Sequence, residues 1–185
     1  MLDSNFQTSS RLAPNDRVLF LDYDGVLHPD DVYRTRSGLE LRAPGQLMMH
    51  AGILVEILKE FPQVKISLST SWVRILGYRR ARAALPPELQ TLTVSSTWHS
   101  RMPKAPLEGY DMYSRYQQIR AAVTRAGLTN WIALDDDPFE SWPDHDRRLI
   151  RTDPDLGLSS VTIQEELRLK LKALMDAKKT FPETL

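Results

Sequence analysis

Residues 18–31 read VLFLDYDGVLHPDD. Four apolar residues, Val18 to Leu21, run into two carboxylates one residue apart, Asp22 and Asp24, and then into Gly25. A short continuous apolar run fits a strand buried on both faces of a parallel sheet. Such a strand should not end in paired negative charge unless something neutralises it. Carboxylates held that close resist ionising together. What the chain places beside Asp22 and Asp24 therefore decides both the fold and the kind of chemistry.

Four further apolar runs read as strands: VKISLS (Val64–Ser69), TLTVSS (Thr91–Ser96), WIALD (Trp131–Asp135) and RLIRT (Arg148–Thr152). Helical patterns lie between them. PGQLMMHAGILVEILKEF starts at Pro44, and VRILGYRRARAAL follows the second strand and stops at Pro86-Pro87. SRYQQIRAAVTRAG opens with a Ser-x-x-Gln capping box, Ser114 to Gln117, and closes on Gly127. TIQEELRLKLKALMDAKK opens with a second box, Thr162 to Glu165. Strands alternating with helices predict an α/β fold, a parallel sheet between two helical layers. No internal repeat or linker interrupts the pattern, so residues 16–185 read as one domain. The polar stretch over residues 1–15 reads as a mobile tail.

Composition narrows the classes. The 185 residues are 42% hydrophobic and 26% charged, as in a globular protein. Lys plus Arg and Asp plus Glu number 24 each, so net charge points to no particular partner. The absence of cysteine excludes disulfides, thiolate catalysis and cysteine zinc sites, and fits a cytoplasmic location. The first fifteen residues lack the apolar stretch of a signal peptide. No apolar run approaches the ~20 residues of a membrane span, so no membrane association is expected.

In open parallel sheets, ligands bind beyond the carboxyl ends of the strands. The first strand delivers Asp22 and Asp24 there, the second Ser69, Thr70 and Ser71, and the fourth Asp135, Asp136 and Asp137. If the first and fourth strands pair, Asp22 and Asp135 become neighbours. A hard divalent cation such as Mg2+ resolves their repulsion, because it takes carboxylate, water and phosphate oxygens. Either acidic motif alone is as well explained by a helix cap or a solvated turn. Two of them at the ends of buried strands are not. Ser69, with Thr70 second, can donate to a phosphoryl oxygen, while Ser71 reads as a helix N-cap. A phosphoryl group also needs positive charge. Arg115, at the start of the Ser114-capped helix, and Lys104, in the preceding loop, are both candidates.

The order Asp-x-Asp-Gly-Val, Ser/Thr, basic residue, Asp pair, each after a strand or at a helix start, resembles the haloacid dehalogenase (HAD) superfamily of phosphohydrolases. The match runs from Val18 to Pro138. LDYDGVL is its most specific piece. LSTSWVR, IALDDDP and GLSS resemble the small members found in RNA-repair proteins and as stand-alone bacterial proteins. The resemblance implies a three-layer α/β/α Rossmann-like fold with sheet order 3-2-1-4-5. It implies a Mg2+-dependent phosphatase working through an aspartyl-phosphate. Asp22 would be the nucleophile and Asp24 the general acid and then base, on a carboxyl whose neighbours raise its pKa. Mg2+ would be held by Asp22, the Asp24 main-chain carbonyl and Asp135, with Asp136 orienting its waters. Ser69 and the basic residue, Arg115 or Lys104, would hold the phosphoryl oxygens, and Gly25 would let the chain turn.

HPDDVYRTRSGLELRA leaves room for only a short flap in place of a cap domain, and the loop over residues 97–113 is also short. An open site favours a large substrate such as a nucleic-acid end. Trp98, His99 and Arg101 lie where they could stack on a base or bind phosphate, although packing on their own domain explains them equally. Arg74, Arg79, Arg80 and Arg82 spread around their helix and read as a solvated face. Trp72, Trp131 and Trp142 read as packing residues and His28 as incidental. His50 and His145 show no metal spacing. The third strand ends in Val94-Ser95-Ser96, which removes a receiver-type phosphoacceptor aspartate, and no early strand-end Glu supports a topoisomerase-primase site. The competing class is a non-catalytic phosphate- or protein-binding module on the same scaffold. Nothing in the sequence indicates an oligomeric state.

Overall fold

The computed structural model describes residues 12–99, 102, 113–137, 142–143 and 147–176. The apolar run ahead of Asp22 forms β1 (Arg17–Leu21). It is followed by a hairpin of β2 (Val32–Arg34) and β3 (Leu39–Leu41), then α1 (Ala51–Lys59) and β4 (Val64–Leu68). Next come α2 (Trp72–Leu76), α3 (Tyr78–Ala83), α4 (Pro87–Leu92) and β5 (Thr93–Ser96). α5 (Arg115–Ala126), β6 (Asn130–Asp135), β7 (Leu149–Arg151) and α6 (Val161–Asp176) complete the order.

The main sheet runs β5-β4-β1-β6-β7 with every pair parallel. Counting only these five strands in chain order gives 3-2-1-4-5, because the β2–β3 hairpin stands apart from the sheet. β1 is central, which is why its residues from Val18 to Leu21 are fully buried. Side chains alternate across a strand. Leu19 and Leu21 accordingly enter a core shared with α1, α3, α4 and α6, while Val18 and Phe20 enter one shared with α5. On the second face Phe20 meets Trp131 edge-on, with centroids 5.8 Å apart at 84°.

Several element ends differ from the sequence reading. The helix expected from Pro44 begins only at Ala51, because Gly45 and Met48 both adopt positive φ (124° and 62°). The single helix expected after the second strand breaks at Gly77, whose φ of 84° and ψ of 151° no helix accommodates. Thr91 and Leu92 end α4, which Pro87 opens from the first turn, and do not begin β5. The Ser114 capping box and the left-handed Gly127 cap both form as read. Residues 1–11 of the expected tail lie outside the described residues. Residues 12–15 do not hang free: Leu12 packs on the α5 side and the Pro14 carbonyl accepts from the Thr129 N–H at 3.4 Å. No helix among the described residues is long and apolar enough to cross a membrane.

Candidate active site

The site is a consequence of register. Leu21 pairs with Leu68 on one side and with Leu134 on the other. The three strands therefore end in line, and Asp22, Ser69 and Asp135 emerge side by side. The ladder extends one step further, with Asp22 N–H donating to the Leu134 carbonyl (3.1 Å) and Ser69 N–H to that of Leu21 (2.8 Å). Central position makes the rim dry: Asp22 is 3% exposed and Asp135 1%.

Asp22 is held from two sides. The Tyr23 N–H donates to Oδ1 at 2.7 Å and Arg115 Nη2 reaches Oδ2 at 2.7 Å; the nearby Thr70 hydroxyl also favours the ionised carboxylate. Arg115 also approaches Asp135 Oδ2 with Nε at 3.2 Å. Its position follows from the capping box, which starts α5 at the rim. Of the two basic candidates, Arg115 is thus in the site, while Lys104 lies outside the described residues. The Asp137 N–H donates to Asp135 Oδ1 at 3.1 Å and turns the other oxygen inward.

Carboxylate oxygens of Asp22, Asp135 and Asp136 lie within 4.8 Å of one another. Burial, more than any neighbour, pushes the Asp22 carboxyl up to about 6, with Arg115 opposing and Asp24 adding to the rise. Burial and the charge of Asp22 raise Asp135 well above the ordinary carboxylate range. Burial, Asp22 and Asp30 push Asp136 up to about 7. Three carboxylates thus face one guanidinium, so ionising all of them leaves excess buried negative charge. Such an all-oxygen donor set suits a hard divalent cation. Gly25 adjoins it with φ +66°, and a Cβ there would overlap the Asp136 carboxylate.

Ser69 and Thr70 divide their work. The Thr70 hydroxyl accepts from the Trp72 N–H at 3.3 Å and favours the ionised form of Asp22. Ser69 Oγ is buried and has no hydrogen-bond partner among the described residues. A buried hydroxyl without a partner costs free energy. This one stands next to Asp22 on the rim, where a ligand oxygen could meet it.

Asp24 has different surroundings. Its side chain is 21% exposed and accepts from Trp72 Nε1 at both oxygens, 2.9 and 3.1 Å away. His28 Nε2 lies 3.1 Å from Oδ1, and Ser71 Oγ donates to Oδ2 at 3.4 Å. Here the structure corrects the sequence reading three times. Trp72 does more than pack. His28, fully buried against Asp24, is not incidental. Ser71 stands at the N-cap but makes no side-chain cap bond. No spacing rule separates these residues from ordinary packing and capping residues. Only the fold, which starts α2 beside the β1 rim, brings them to the carboxyl.

The remaining candidates are peripheral. Trp98 packs into the core, Trp131 lies under Arg148, and Trp142 meets Tyr116 at a tilt. Arg74, Arg79 and Arg80 are exposed, and Arg82 Nε donates to the Gln90 carbonyl at 2.8 Å. His99 is exposed; Arg101 and His145 lie outside the described residues.

A parallel sheet with acids at the ends of two neighbouring central strands, a guanidinium bridging them and a hydroxyl at the end of the next strand fits a HAD-type α/β hydrolase scaffold. A family model described as the HAD domain in Swiss Army Knife RNA repair proteins matches residues 18–163. The chain belongs to this family. No curated protein matches it.

Proposed function

We propose that the protein is a Mg2+-dependent phosphatase that hydrolyses a phosphate monoester through an aspartyl-phosphate. The observation that carries this reading is the Asp22 carboxylate, fixed by Tyr23 N–H and Arg115 beside a partnerless Ser69 hydroxyl. Asp22, Asp135, Asp136 and the Asp24 main-chain carbonyl would hold the ion. When bound, it neutralises negative charge on the phosphoryl oxygens and on the carboxylates.

In the first step an Asp22 oxygen attacks phosphorus, the bond to the leaving oxygen breaks, and Asp24 gives that oxygen its proton. Arg115 and Ser69 hold the phosphoryl oxygens as charge shifts onto them. In the second step Asp24 takes a proton from water, whose oxygen attacks the same phosphorus. The bond to Asp22 breaks, releasing phosphate and restoring both carboxyl groups.

The substrate class we favour is a large one, a phosphorylated nucleic-acid end. Two features support it. The flap after β1 is only a hairpin of two three-residue strands, and the family's description names RNA repair proteins. The test is phosphate release from a panel of 3′- and 5′-phosphorylated RNA and DNA ends, nucleotides, sugar phosphates, phosphopeptides and p-nitrophenyl phosphate. We expect Mg2+-dependent turnover, highest on nucleic-acid ends, and a loss on the order of 10⁴-fold or more in Asp22→Asn, the size seen when a nucleophile is removed. Preference for a free sugar phosphate would overturn the substrate class. Metal binding without turnover of anything in the panel would make this a binding module.

A further inference from the structure

Resting on the phosphatase reading above, we propose that Trp72 and His28 are positioning residues for Asp24. They hold its carboxyl group in one orientation while it first gives up and then takes back a proton.

The two donors suit that task because neither has to change. An indole N–H is a donor only, so Trp72 can serve Asp24 in both half-reactions. It straddles the carboxyl group, 2.9 Å from Oδ1 and 3.1 Å from Oδ2. The indole itself is immobilised. It is 3% exposed and packs edge-on against Tyr23, with centroids 5.4 Å apart at 81°. Tyr23 is in turn fully buried, with its hydroxyl donating to the Ala81 carbonyl at 3.0 Å.

His28 is set by its other nitrogen. The Met48 N–H donates to Nδ1 at 3.4 Å. A ring nitrogen that accepts carries a lone pair, so in the neutral imidazole the proton sits on Nε2. That nitrogen is the one 3.1 Å from Asp24 Oδ1. Met48 is also the sole non-glycine residue with positive φ among the described residues, at 62°. That is a backbone conformation residues with a side chain seldom adopt. The imidazole leans on the Trp72 ring at 5.6 Å, so the two donors support each other as well as Asp24. Together they prevent the carboxyl group from rotating about its Cβ–Cγ bond. They exchange no proton themselves.

The experiment compares two substrates with the intact protein and Mg2+. p-Nitrophenolate leaves without needing a proton; the alkoxide of an alkyl monophosphate must be protonated as it departs. A group that positions the acid therefore matters more for the second. We expect Trp72→Phe, which keeps the ring and loses the N–H, to lower kcat on the alkyl ester roughly tenfold with KM unchanged. On p-nitrophenyl phosphate its kcat should fall by less than about threefold. His28→Ala should behave alike, and His28→Gln, whose amide nitrogen can reach the place of Nε2, should recover most of the loss. Equal losses on both substrates, or a change confined to KM, would show a merely structural role and overturn the proposal. Should a His28 variant lose its circular dichroism signal, Trp72→Phe decides alone. Absence of turnover by the unsubstituted protein on p-nitrophenyl phosphate, on alkyl monophosphates and on phosphorylated nucleic-acid ends alike would sink the phosphatase reading itself, before any variant is made.

Discussion

Asp22 and Asp24 are separated by one residue and live in opposite environments. Around Asp22 the site is dry and dense in charge: two more buried or half-buried carboxylates and one guanidinium lie within reach. Around Asp24 every donor is a side chain of a different kind, an indole, an imidazole and a hydroxyl, and the group touches solvent. Strand alternation would put residues two apart on the same side, but β1 ends at Leu21 and the chain turns at once, with the Tyr23 carbonyl accepting from the Val26 and Leu27 N–H groups and Gly25 at positive φ. Asp22 therefore stays with the strand ends while Asp24 meets α2 at Trp72. One side is built to hold charge, the other to hold a direction. On the proposed phosphatase reading, the Asp-x-Asp spacing that looks redundant in the sequence separates two jobs: an oxygen that would attack phosphorus and a carboxyl group that would move a proton.

The sharpest way to break this comparison is to remove the guanidinium. Arg115→Ala leaves Asp22, Asp135 and the phosphoryl oxygens without their fixed positive partner. Loss of one preorganised donor to a transition state costs about 10²–10³ in kcat. Because that charge sits on the phosphoryl group, p-nitrophenyl and alkyl esters should suffer alike, unlike the selective loss expected at Trp72. Steady-state kinetics on both esters checks this. A loss confined to the alkyl ester would place Arg115 with Asp24 and dissolve the distinction between the two sides.

The charged side is largely legible in the amino-acid sequence. The continuous apolar runs mark β1 and β6 as central strands, and central strands in a parallel sheet put Asp22 and Asp135 together. The capping box places Arg115 at a helix start, near the rim. What is not legible depends on backbone geometry with no local signature. Gly77 breaks a pattern that is helical by periodicity on both sides. Met48 takes a left-handed conformation that nothing about methionine predicts, and so delays α1. Trp72 reads as a packing residue and His28 as incidental, and both are buried; that each also directs one polar atom at Asp24 is a fact of tertiary packing. Periodicity reports which residues are buried, not where their single polar atoms point.

A smaller effect is expected from pH and metal. The folded-state carboxyl groups of Asp22 and Asp136 are raised to about 6 and about 7, against 3.8 as the reference, chiefly by burial. A raised carboxyl binds its proton more tightly when folded than when unfolded. The ion-free fold therefore loses stability as pH rises from about 4 to about 7, and the deficit persists above that. His50, lowered by burial and by His28, pulls the other way and softens the slope. Mg2+ competes with those protons. Its stabilisation should be larger at pH 7.5 than at pH 5. At a hundredfold excess over Kd it should amount to about 2.7 kcal/mol, roughly 5–10 °C in Tm. Thermal melts at both pH values, with and without the ion, measure this; Asp136→Asn should flatten the ion-free slope. A Mg2+ shift that is the same at both pH values would remove the acidic cluster as its site.

The smallest expected effect separates the two hydroxyls on the charged side. Ser69 Oγ is buried without a partner among the described residues, so replacing it by hydrogen removes a desolvated group that gains no bond from them in the free protein. Ser69→Ala should therefore melt at the same temperature as the unsubstituted protein or slightly above it. Its kcat/KM should nevertheless fall about tenfold, the worth of one hydrogen bond of roughly 1–1.5 kcal/mol to a charged oxygen. Thr70→Val should show the reverse emphasis. It loses the hydroxyl that accepts from the Trp72 N–H and favours the ionised form of Asp22, so stability should drop by about 1 kcal/mol. Inhibition by inorganic phosphate gives the cleanest readout, because it needs no chemistry: weakened by Ser69→Ala and nearly unaffected by Thr70→Val. The opposite pattern would make Thr70 the phosphate ligand. It would then tie phosphate binding to the hydroxyl that favours the ionised form of Asp22, leaving Ser69 with no ligand to satisfy it.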